Sequence, residues 1–584
     1  MQNHLRRIAV FAFFLFAFWT SHAASIPSAD EIPTNPFDDR FSTNWDAAVR
    51  AALPDKNTAQ GNYDFKQATN DLCHASSKGN LAAQALWGFA LIVSSGSPEA
   101  LTNGLKVLRG SAEKGCVPAM VNLGYLFESG RYVRRNYNEA IQWFSKAAEL
   151  GNADAQLQLG ACYHYGLGTT PDFTQAAKYY RLSAEQTNFV AMKCLGFLLM
   201  NGYGVDKNEV VATYWLMRAA NEGGNRRAMF NLGVLYGQQY PDTNAMIEAF
   251  KWIKKGAELG DALAANELSN FYLRGWGGTE TNLASYHYWR FKAAYLGATD
   301  AQYFVGQAYR TGDGVPKDAE ASLLWIGKAA AKNHPEAIYD LAVHFYEART
   351  NPPSLQLANQ LMIRAALMGH REAQFQCAMS AFRGDLTQNC EWGKEWLSRA
   401  AENGWPKAEF TLFQLFFNGL APGKDCPAYP KDKIEGIKWL RRAAEHGNVQ
   451  AQAILAVMLI RGVDLDQDKI TAEKLLRDAA AHGYTSAQND LGFAILHGDT
   501  AQHDLVETAM WCKLATAEQT DTNVAARAAY NLSYAMSKLS LDQQDEADRR
   551  ARQFEPLPIP QMDPKVKDWE KNPDYQREDG RYGH

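Results

Sequence analysis

The chain of 584 residues is too long for a single hydrophobic core, and with 46% hydrophobic and 12% aromatic residues it is too apolar to be disordered overall. Its formal net charge of −5 argues against a nucleic-acid-binding protein, because such proteins usually carry a basic face. These properties leave two organisations, several domains or an array of repeats.

The N-terminus has the features of a secretory signal peptide, which we assign to residues 1–23. Arg6 and Arg7 form a positive region, an apolar stretch follows at 8–19, and small residues lead to Ala23. The apolar stretch is short for a membrane-spanning helix, so we expect cleavage after Ala23, with an uncleaved anchor as the alternative. Cleavage removes both arginines and changes the formal net charge from −5 to −7. We therefore expect an exported protein, periplasmic or secreted, without a transmembrane segment.

After a polar leader at residues 24–62, the sequence repeats itself across residues 63–538. Each copy begins at a register residue, usually glycine, that stands four positions before an invariant alanine. The register residues are Gly79, Gly115, Gly151, Thr187, Gly224, Gly260, Gly297, Asn333, Gly369, Gly404, Gly447 and Gly483. Their steps are 35 to 37 residues, apart from one step of 43. This regular spacing predicts about 12–13 copies of one structural unit.

Each copy has the pattern of a helix–turn–helix. Alanine at +4, leucine at +8 and an aromatic residue at +12 share one helical face, and the small alanine indicates close approach of another helix. A glycine at +15 is typical of a left-handed helix end. A turn such as “GDGVPKD” follows, in which Pro316 and Asp318 open a second helix that usually carries Trp and then “KAA” or “RAA”.

One hairpin of this kind cannot bury both of its apolar faces, whereas stacked hairpins can. The sequence therefore predicts an all-α fold, a right-handed α-solenoid of about 36-residue hairpins with a concave inner wall. The copies resemble the Sel-1-like repeat family, which is related to the tetratricopeptide repeat, and residues 300–330 match the pattern “A…LG..Y..G.GV..D...A..W..KAA” almost throughout. The resemblance implies scaffold or adaptor work, in bacterial members often at the cell envelope, and it names no partner.

Two segments depart from the period. The 43-residue step contains an insertion around “APGKDCPAYPKDK”, and Cys426 in this loop corresponds to Cys390 in the preceding copy. If any of the eight cysteines forms a disulfide, we expect this pair, the alternative being two separate thiols. Residues 539–584 form a charged, Pro-containing tail that we expect to be extended or disordered, because it has few apolar residues, and that could cap the array or carry a docking peptide.

Catalytic and cofactor motifs are weak in this sequence. “SAEK” at Ser111–Lys114 fits an SxxK pattern of penicillin-recognising enzymes, yet it stands at the end of a predicted second helix and lacks the accompanying SDN and KTG motifs. The Gly-rich turns lack the Lys-Ser/Thr of a phosphate loop, and the histidines show no HExxH spacing. We expect no enzyme, no cofactor and no metal site.

A recurring column of residues on the first helices is the candidate binding surface. By helical geometry and by analogy with tetratricopeptide arrays, positions +6 and +13 are expected to face the inner wall, where aromatic residues suit peptide binding. The alternative for the +6 column is packing against neighbouring first helices. The candidate residues are Phe230, Tyr303, Tyr339, Phe375 and Phe410 at +6, and Arg310, Tyr346, Phe382 and Phe417 at +13.

The sequence thus favours a non-enzymatic scaffold of the bacterial cell envelope that binds protein partners, with no role in nucleic-acid binding. A binder of envelope glycans or peptidoglycan, using the same aromatic residues as stacking platforms, is the second hypothesis. A penicillin-interacting hydrolase is a remote third.

Overall fold

The computed structural model describes residues 65–94, 97–239, 242–347, 352–385, 390–424, 426–500, 503–517 and 522–558. Within these ranges the regular structure consists of 27 α-helices and no β-strand. The chain divides into two compact units, of which unit 1 ends at Val305 and unit 2 begins at Gly306. The predicted signal peptide and leader lie outside the described residues.

Unit 1 contains thirteen complete helices and the start of a fourteenth. They are α1 (Phe65–Ser77), α2 (Leu81–Ser94), α3 (Pro98–Glu113), α4 (Val117–Ser129), α5 (Tyr137–Glu149), α6 (Ala153–Tyr165), α7 (Phe173–Glu185), α8 (Phe189–Asn201), α9 (Glu209–Asn221), α10 (Arg226–Gly237), α11 (Thr243–Glu258), α12 (Ala262–Arg274), α13 (Leu283–Leu296) and α14 (Thr299–Thr311).

Unit 2 contains the end of α14 and the remaining helices. They are α15 (Ala319–Ala331), α16 (Pro335–Glu347), α17 (Pro352–Leu367), α18 (Arg371–Arg383), α19 (Cys390–Glu402), α20 (Pro406–Asn418), α21 (Lys433–Glu445), α22 (Val449–Arg461), α23 (Lys469–Ala481), α24 (Thr485–Leu496), α25 (Leu505–Ala517), α26 (Thr522–Lys538) and α27 (Leu541–Gln553).

The helices alternate between first helices, which have even numbers, and second helices, which have odd numbers. In unit 1 each first helix from α2 to α12 packs on the second helix that follows it, and each second helix from α1 to α11 packs on the next first helix. Unit 2 shows the same pattern from α15 to α25. This nearest-neighbour stacking is the α-solenoid that the repeat predicts.

The alanine column lies at the centre of this packing. All twelve +4 alanines are fully buried: Ala83, Ala119, Ala155, Ala191, Ala228, Ala264, Ala301, Ala337, Ala373, Ala408, Ala451 and Ala487. A larger side chain at these positions would push two helices apart, because the distance between packed helices depends on the side chains at their contact. The predicted core face of the first helices is therefore confirmed.

The register residues occupy the turns that precede the first helices. All twelve have positive φ, including Thr187 and Asn333 at 65° each, where every other copy has glycine. The glycines at +15 also have positive φ and stand at the ends of the first helices, as expected: Gly130, Gly166, Gly202, Gly275, Gly312, Gly384, Gly419, Gly462 and Gly498. Backbone conformation, rather than side-chain chemistry, thus explains why glycine recurs at these two places.

The expectation that the tail is extended or disordered is wrong for its first part. Residues 541–553 form α27, whose N-terminus is closed by a capping box between Ser540 and Gln543. Inside the helix, Glu546 forms ion pairs with Arg549 and Arg550. A count of apolar residues missed this helix, because local caps and charge pairs supply much of what holds it together.

The tail also closes the array, which was one of its two expected roles. The helix α27 packs on α25, where Ala547 is buried beside Ala509. Beyond the helix, the Phe554 ring meets Trp511 edge-to-face at 5.4 Å. The backbone N–H of Leu557 donates to the Ala481 carbonyl at 2.8 Å. Residues 559–584 lie outside the described part of the chain.

Candidate partner-binding surface

The +6 column is only partly open. Phe230, Tyr303, Tyr339 and Phe375 are half-buried, whereas Phe410 is 9% exposed. In unit 2, the Tyr339 ring stacks on His370, the N-terminal cap of the neighbouring first helix α18, at 4.3 Å between centroids. Packing against the next first helix, the alternative weighed for this column, therefore accounts for part of its aromatic character.

Burial shifts the pKa of both stacked rings, Tyr339 and His370. Burial raises the pKa of Tyr339, and the Glu372 carboxylate adds to this rise. Burial also lowers the pKa of His370 to about 4, so this ring is neutral at pH 7. The neutral Nδ1 of His370 accepts a hydrogen bond from the Ala373 N–H at 3.1 Å and thereby caps α18.

The +13 column faces the hairpin interior instead of a wall. Phe382 is 8% exposed and lies against Gly393 in the second helix of its own hairpin, and Phe417 of α20 packs in the same way on Gly436 of α21. The Tyr346 hydroxyl donates to Asn359 Oδ1, again within one hairpin. These contacts explain the recurrence of aromatic residues at +13 by packing, and they remove Phe382 from the accessible surface. Phe410 of the +6 column is buried as well.

Arg310 is the exception in the +13 column, because it is exposed. Its Nη1 lies 3.3 Å from Asp340 Oδ2, and the same carboxylate accepts a hydrogen bond from the Gln307 side chain. Together with Tyr339 and Phe375, these residues form a mixed polar and aromatic surface on successive first helices. We call Gln307, Arg310, Tyr339, Asp340 and Phe375 the unit 2 face.

A regular feature of the second helices was missed from the sequence. A Lys or Arg follows each of seven tryptophans by three residues, and its charge lies 3.9 to 5.9 Å from the indole centroid. The pairs are Trp143–Lys146, Trp215–Arg218, Trp252–Lys255, Trp289–Lys292, Trp325–Lys328, Trp396–Arg399 and Trp439–Arg442. Cation–π contact within one helix turn explains the basic residue of the “KAA” or “RAA” motif.

The hairpin α12–α13 carries a polar cluster in its core. The residue after the tryptophan is a buried apolar or aromatic side chain in the other hairpins of unit 1, for example Phe144, Leu216 and Ile253, but here it is Arg290, which is 7% exposed. Its Nη1 donates to Asn266 Oδ1 at 2.6 Å and its Nη2 to Asn270 Oδ1 at 2.9 Å. A comparison of the residues that follow the tryptophans would have shown in the sequence that Arg290 replaces an apolar residue.

A carboxylate completes this cluster. The Asn270 side-chain N–H donates to Glu267 Oε2 at 3.0 Å, and the guanidinium of Arg290 lies 4.9 Å from the Phe304 ring centroid. Burial raises the pKa of Glu267, while Asn270 and Arg290 act in the opposite direction. The buried positive charge is therefore connected to a negative one through an amide rather than directly.

The motifs that suggested chemistry have structural roles. Ser111 is fully buried and its hydroxyl donates to the Leu81 carbonyl at 2.8 Å. Two repeats later Ser183 makes the same contact with the Ala153 carbonyl at 2.7 Å. The SxxK serine is thus a repeated helix-to-helix contact, and its hydroxyl is not presented to a substrate.

The structure joins Cys390 and Cys426, the pair singled out from the sequence, in a disulfide bond. In the described ranges, His, Cys, Asp and Glu side chains form no group of three that could hold a metal ion. None of the described helices combines the length and the apolarity needed to cross a bilayer.

Ten segments of the chain match the Sel1 repeat, and together they cover more than half of it. They are residues 117–152, 153–188, 191–224, 226–261, 299–334, 335–370, 371–405, 406–448, 449–484 and 485–518. The chain belongs to the Sel1 repeat family. Sel1 repeat proteins generally mediate protein–protein interactions, and no enzymatic family is indicated. The matches omit residues 262–298, the hairpin with Arg290 in its core.

Among curated relatives, chitin synthase regulatory factor 3 of Schizosaccharomyces pombe is 28% identical over 202 residues, which are 33% of this chain and 22% of that protein. The match thus spans about a fifth of the relative. A protective antigen of uropathogenic Escherichia coli with an SLR fold is 25% identical, with a TM-score of 0.48 over 77% of this chain and 94% of that one. A Sel1 repeat protein from Oxalobacter formigenes is 33% identical, with a TM-score of 0.37 over 42% and 96%.

Proposed function

We propose that this Sel1 repeat protein is a non-enzymatic scaffold of the bacterial cell envelope, and that it holds a protein partner on the unit 2 face. Membership of a family that generally mediates protein–protein interactions supports the scaffold role. The signal-peptide features of residues 1–23 support export. The regulatory function named in one distant relative is compatible with action through another protein.

One observation carries the choice of surface. Tyr339 and Phe375 occupy the +6 position of two successive first helices, and both are partly exposed. Other candidate aromatic residues, such as Phe382 and Phe410, are buried by packing. Arg310 and Asp340 place an ion pair on the same face. Aromatic and Arg side chains surrounded by polar groups are the composition of interaction hot spots. The face suits a segment with apolar side chains and a charged flank.

The test is a double substitution, Tyr339→Ala with Phe375→Ala, in the mature full-length protein. Both side chains are partly exposed, so the variant should keep the helical circular dichroism spectrum. It should lose a partner captured by crosslinking from envelope extracts, with at least a tenfold drop in recovered partner. Phe382 is unsuitable for this test, because its burial against Gly393 couples any substitution to the fold.

A matched control removes two aromatic side chains elsewhere in unit 2. Tyr530 and Tyr534 of α26 are 75% and 50% exposed, so their replacement by Ala removes at least as much exposed aromatic surface as the test substitution does. The control should capture the partner at the level of the wild-type protein. Equal capture by the wild-type and Tyr339/Phe375 proteins would exclude the unit 2 face, and equal loss in both variants would show that binding is unspecific.

A further inference from the structure

The helix α13 carries a row of aromatic residues on its solvent-exposed side. Ala284, Tyr288, Phe291 and Tyr295 follow one another at intervals of four, three and four residues, so they lie on one helical face, which we call the α13 stripe. Tyr288 and Tyr295 are 59% and 73% exposed, Ala284 is exposed and Phe291 is half-buried. Phe291 and Tyr295 also have interactions within the chain, yet most of the surface of Tyr295 faces solvent.

The other second helices of unit 1 are polar where α13 has its two exposed tyrosines. Two positions before the register residue, where α13 has Tyr295, they carry Ser77, Glu113, Glu149, Glu185, Glu222 and Glu258. Nine positions before it, where α13 has Tyr288, α9 carries Trp215 and the others carry Asn70, Lys106, Gln142, Lys178 and Lys251. The repeat therefore does not require this aromatic surface.

Two of these helices use the same positions for ion pairs. Glu222 lies 3.0 Å from Arg218, and Glu258 lies 4.0 Å from Lys254, one turn earlier in the same helix. In α13 the two corresponding residues are aromatic, so a solvated charge pair is replaced by rings that favour burial. The hairpin α12–α13 is also the one that the Sel1 matches omit, which agrees with a surface that differs from the repeat.

The order of residues along the α13 stripe fits a second copy of the same helix. A two-fold axis at the middle of α13 pairs the helix with an antiparallel copy, and each contact then occurs twice. Tyr295 of one copy lies level with Ala284 of the other, and Tyr288 lies level with Phe291. The most exposed ring thus meets the smallest residue of the stripe, which allows the two helices to approach closely.

The charges of α13 also favour its own copy. The helix contains no acidic residue. Of its two basic side chains, Arg290 is buried in the hairpin core, and Lys292 lies beside the stripe, with its Nζ 4.4 Å from the Trp289 ring centroid. A strongly charged partner would find a single side chain with which to pair. An identical helix covers the stripe without placing an ionised group at the centre of the contact.

We propose that the mature protein forms a two-fold symmetric dimer through the α13 stripe. With roughly 150–250 Å² for each aromatic side chain, the exposed parts of the stripe and its flanks amount to about 400–500 Å² in each copy. The pair buries about 800–1,000 Å², near the lower limit for specific interfaces, so its Kd is on the order of 10–100 µM. The dimer does not depend on the unit 2 face.

Sedimentation equilibrium of the full-length mature protein, at about 1–300 µM, tests the dimer. The weight-average mass should rise with concentration toward twice the mass of the monomer. Tyr288→Lys combined with Tyr295→Glu gives α13 the residues that α11 has at these positions, Lys251 and Glu258. This variant should keep the helical circular dichroism spectrum, and its Kd should rise at least tenfold.

Tyr214→Lys is the matched control. This tyrosine precedes the tryptophan of α9, as Tyr288 precedes that of α13, and it is 53% exposed. The control introduces the same charge on another second helix of unit 1, and it should dimerise as the wild-type protein does.

Thiol crosslinking tests the antiparallel arrangement, in a Cys73→Ser background that removes the exposed free thiol. A mixture of Ala284→Cys and Tyr295→Cys proteins at about 300 µM should form a disulfide-linked dimer under mild oxidation. Ala284→Cys alone should not, because its two thiols lie about 16 Å apart along the helix axis.

Three results would overturn the proposal. The first is a wild-type protein that stays monomeric at every concentration, in which case another protein or a lipid surface covers the stripe. The second is a folded Tyr288→Lys/Tyr295→Glu variant that dimerises as tightly as the wild type. The third is a mixture of thiol variants that forms no crosslink, and this measurement decides the matter if the double variant loses its helical signal.

Discussion

Two of the hairpins that depart from the repeat do so in different ways. The hairpin α20–α21 in unit 2 keeps an apolar core, with Leu440 fully buried after Trp439, but lengthens its turn. The hairpin α12–α13 in unit 1 keeps a similar length to its neighbours and replaces the corresponding core residue by Arg290. One departure changes the loop and the other changes the core.

Both hairpins nevertheless retain the same backbone-determining residues. In each, the +4 alanine is fully buried, a glycine ends the first helix, and an Asn or Asp caps the second helix. The comparison teaches that the fold depends on small residues at helix crossings and on caps. The long apolar side chains are more exchangeable, because cores tolerate substitution once backbone geometry is set.

The largest effect is expected from the longer hairpin. Replacing Cys390 and Cys426 together by Ser should lower the free energy of unfolding of unit 2 by about 3–4 kcal/mol. The disulfide joins residues 36 positions apart and so restricts the unfolded chain, and without it the unfolded chain gains conformational entropy. Urea denaturation followed by circular dichroism measures this. Cys73→Ser, which removes an exposed free thiol, is the control. A loss below 1 kcal/mol would show that the loop is held by packing alone.

The polar hairpin is tested by two substitutions of one residue. Arg290→Ala leaves Asn266 Oδ1 and Asn270 Oδ1 without their donor and opens a cavity, so unit 1 should lose about 2 kcal/mol. Arg290→Leu fills most of that cavity but leaves the same two amide oxygens without a donor, so it should cost about 1 kcal/mol, less than Arg290→Ala. Thermal and urea unfolding of both variants distinguish the two. Equal losses would mean that the hydrogen bonds of Arg290, rather than its volume, support this hairpin.

The sequence predicted the fold more fully than the site, and the reason is physical. The buried alanines and the glycine turns are required by backbone geometry. Every copy has the same backbone, so the same residues recur at the same positions and can be found from the spacing of the repeat. Burial of Phe382 and Phe410 depends on which side chain the next helix places beside them, and a single column cannot show this. The helix α27 was missed because its stability comes from caps and ion pairs outside the repeat.

The smallest effect concerns a register residue, where side-chain and backbone demands conflict. Thr187 adopts φ 65° at a position where eleven of the twelve copies have Gly or Asn, and a β-branched residue is strained in this region. Thr187→Gly should therefore raise the stability of unit 1 by about 1 kcal/mol, after allowance for the greater freedom of glycine in the unfolded chain. The reverse change, Gly151→Thr, places the same strain at φ 83° and should lower stability by a similar amount. If both substitutions were neutral, the turn would tolerate threonine freely, and the recurrence of glycine there would need a cause other than backbone strain.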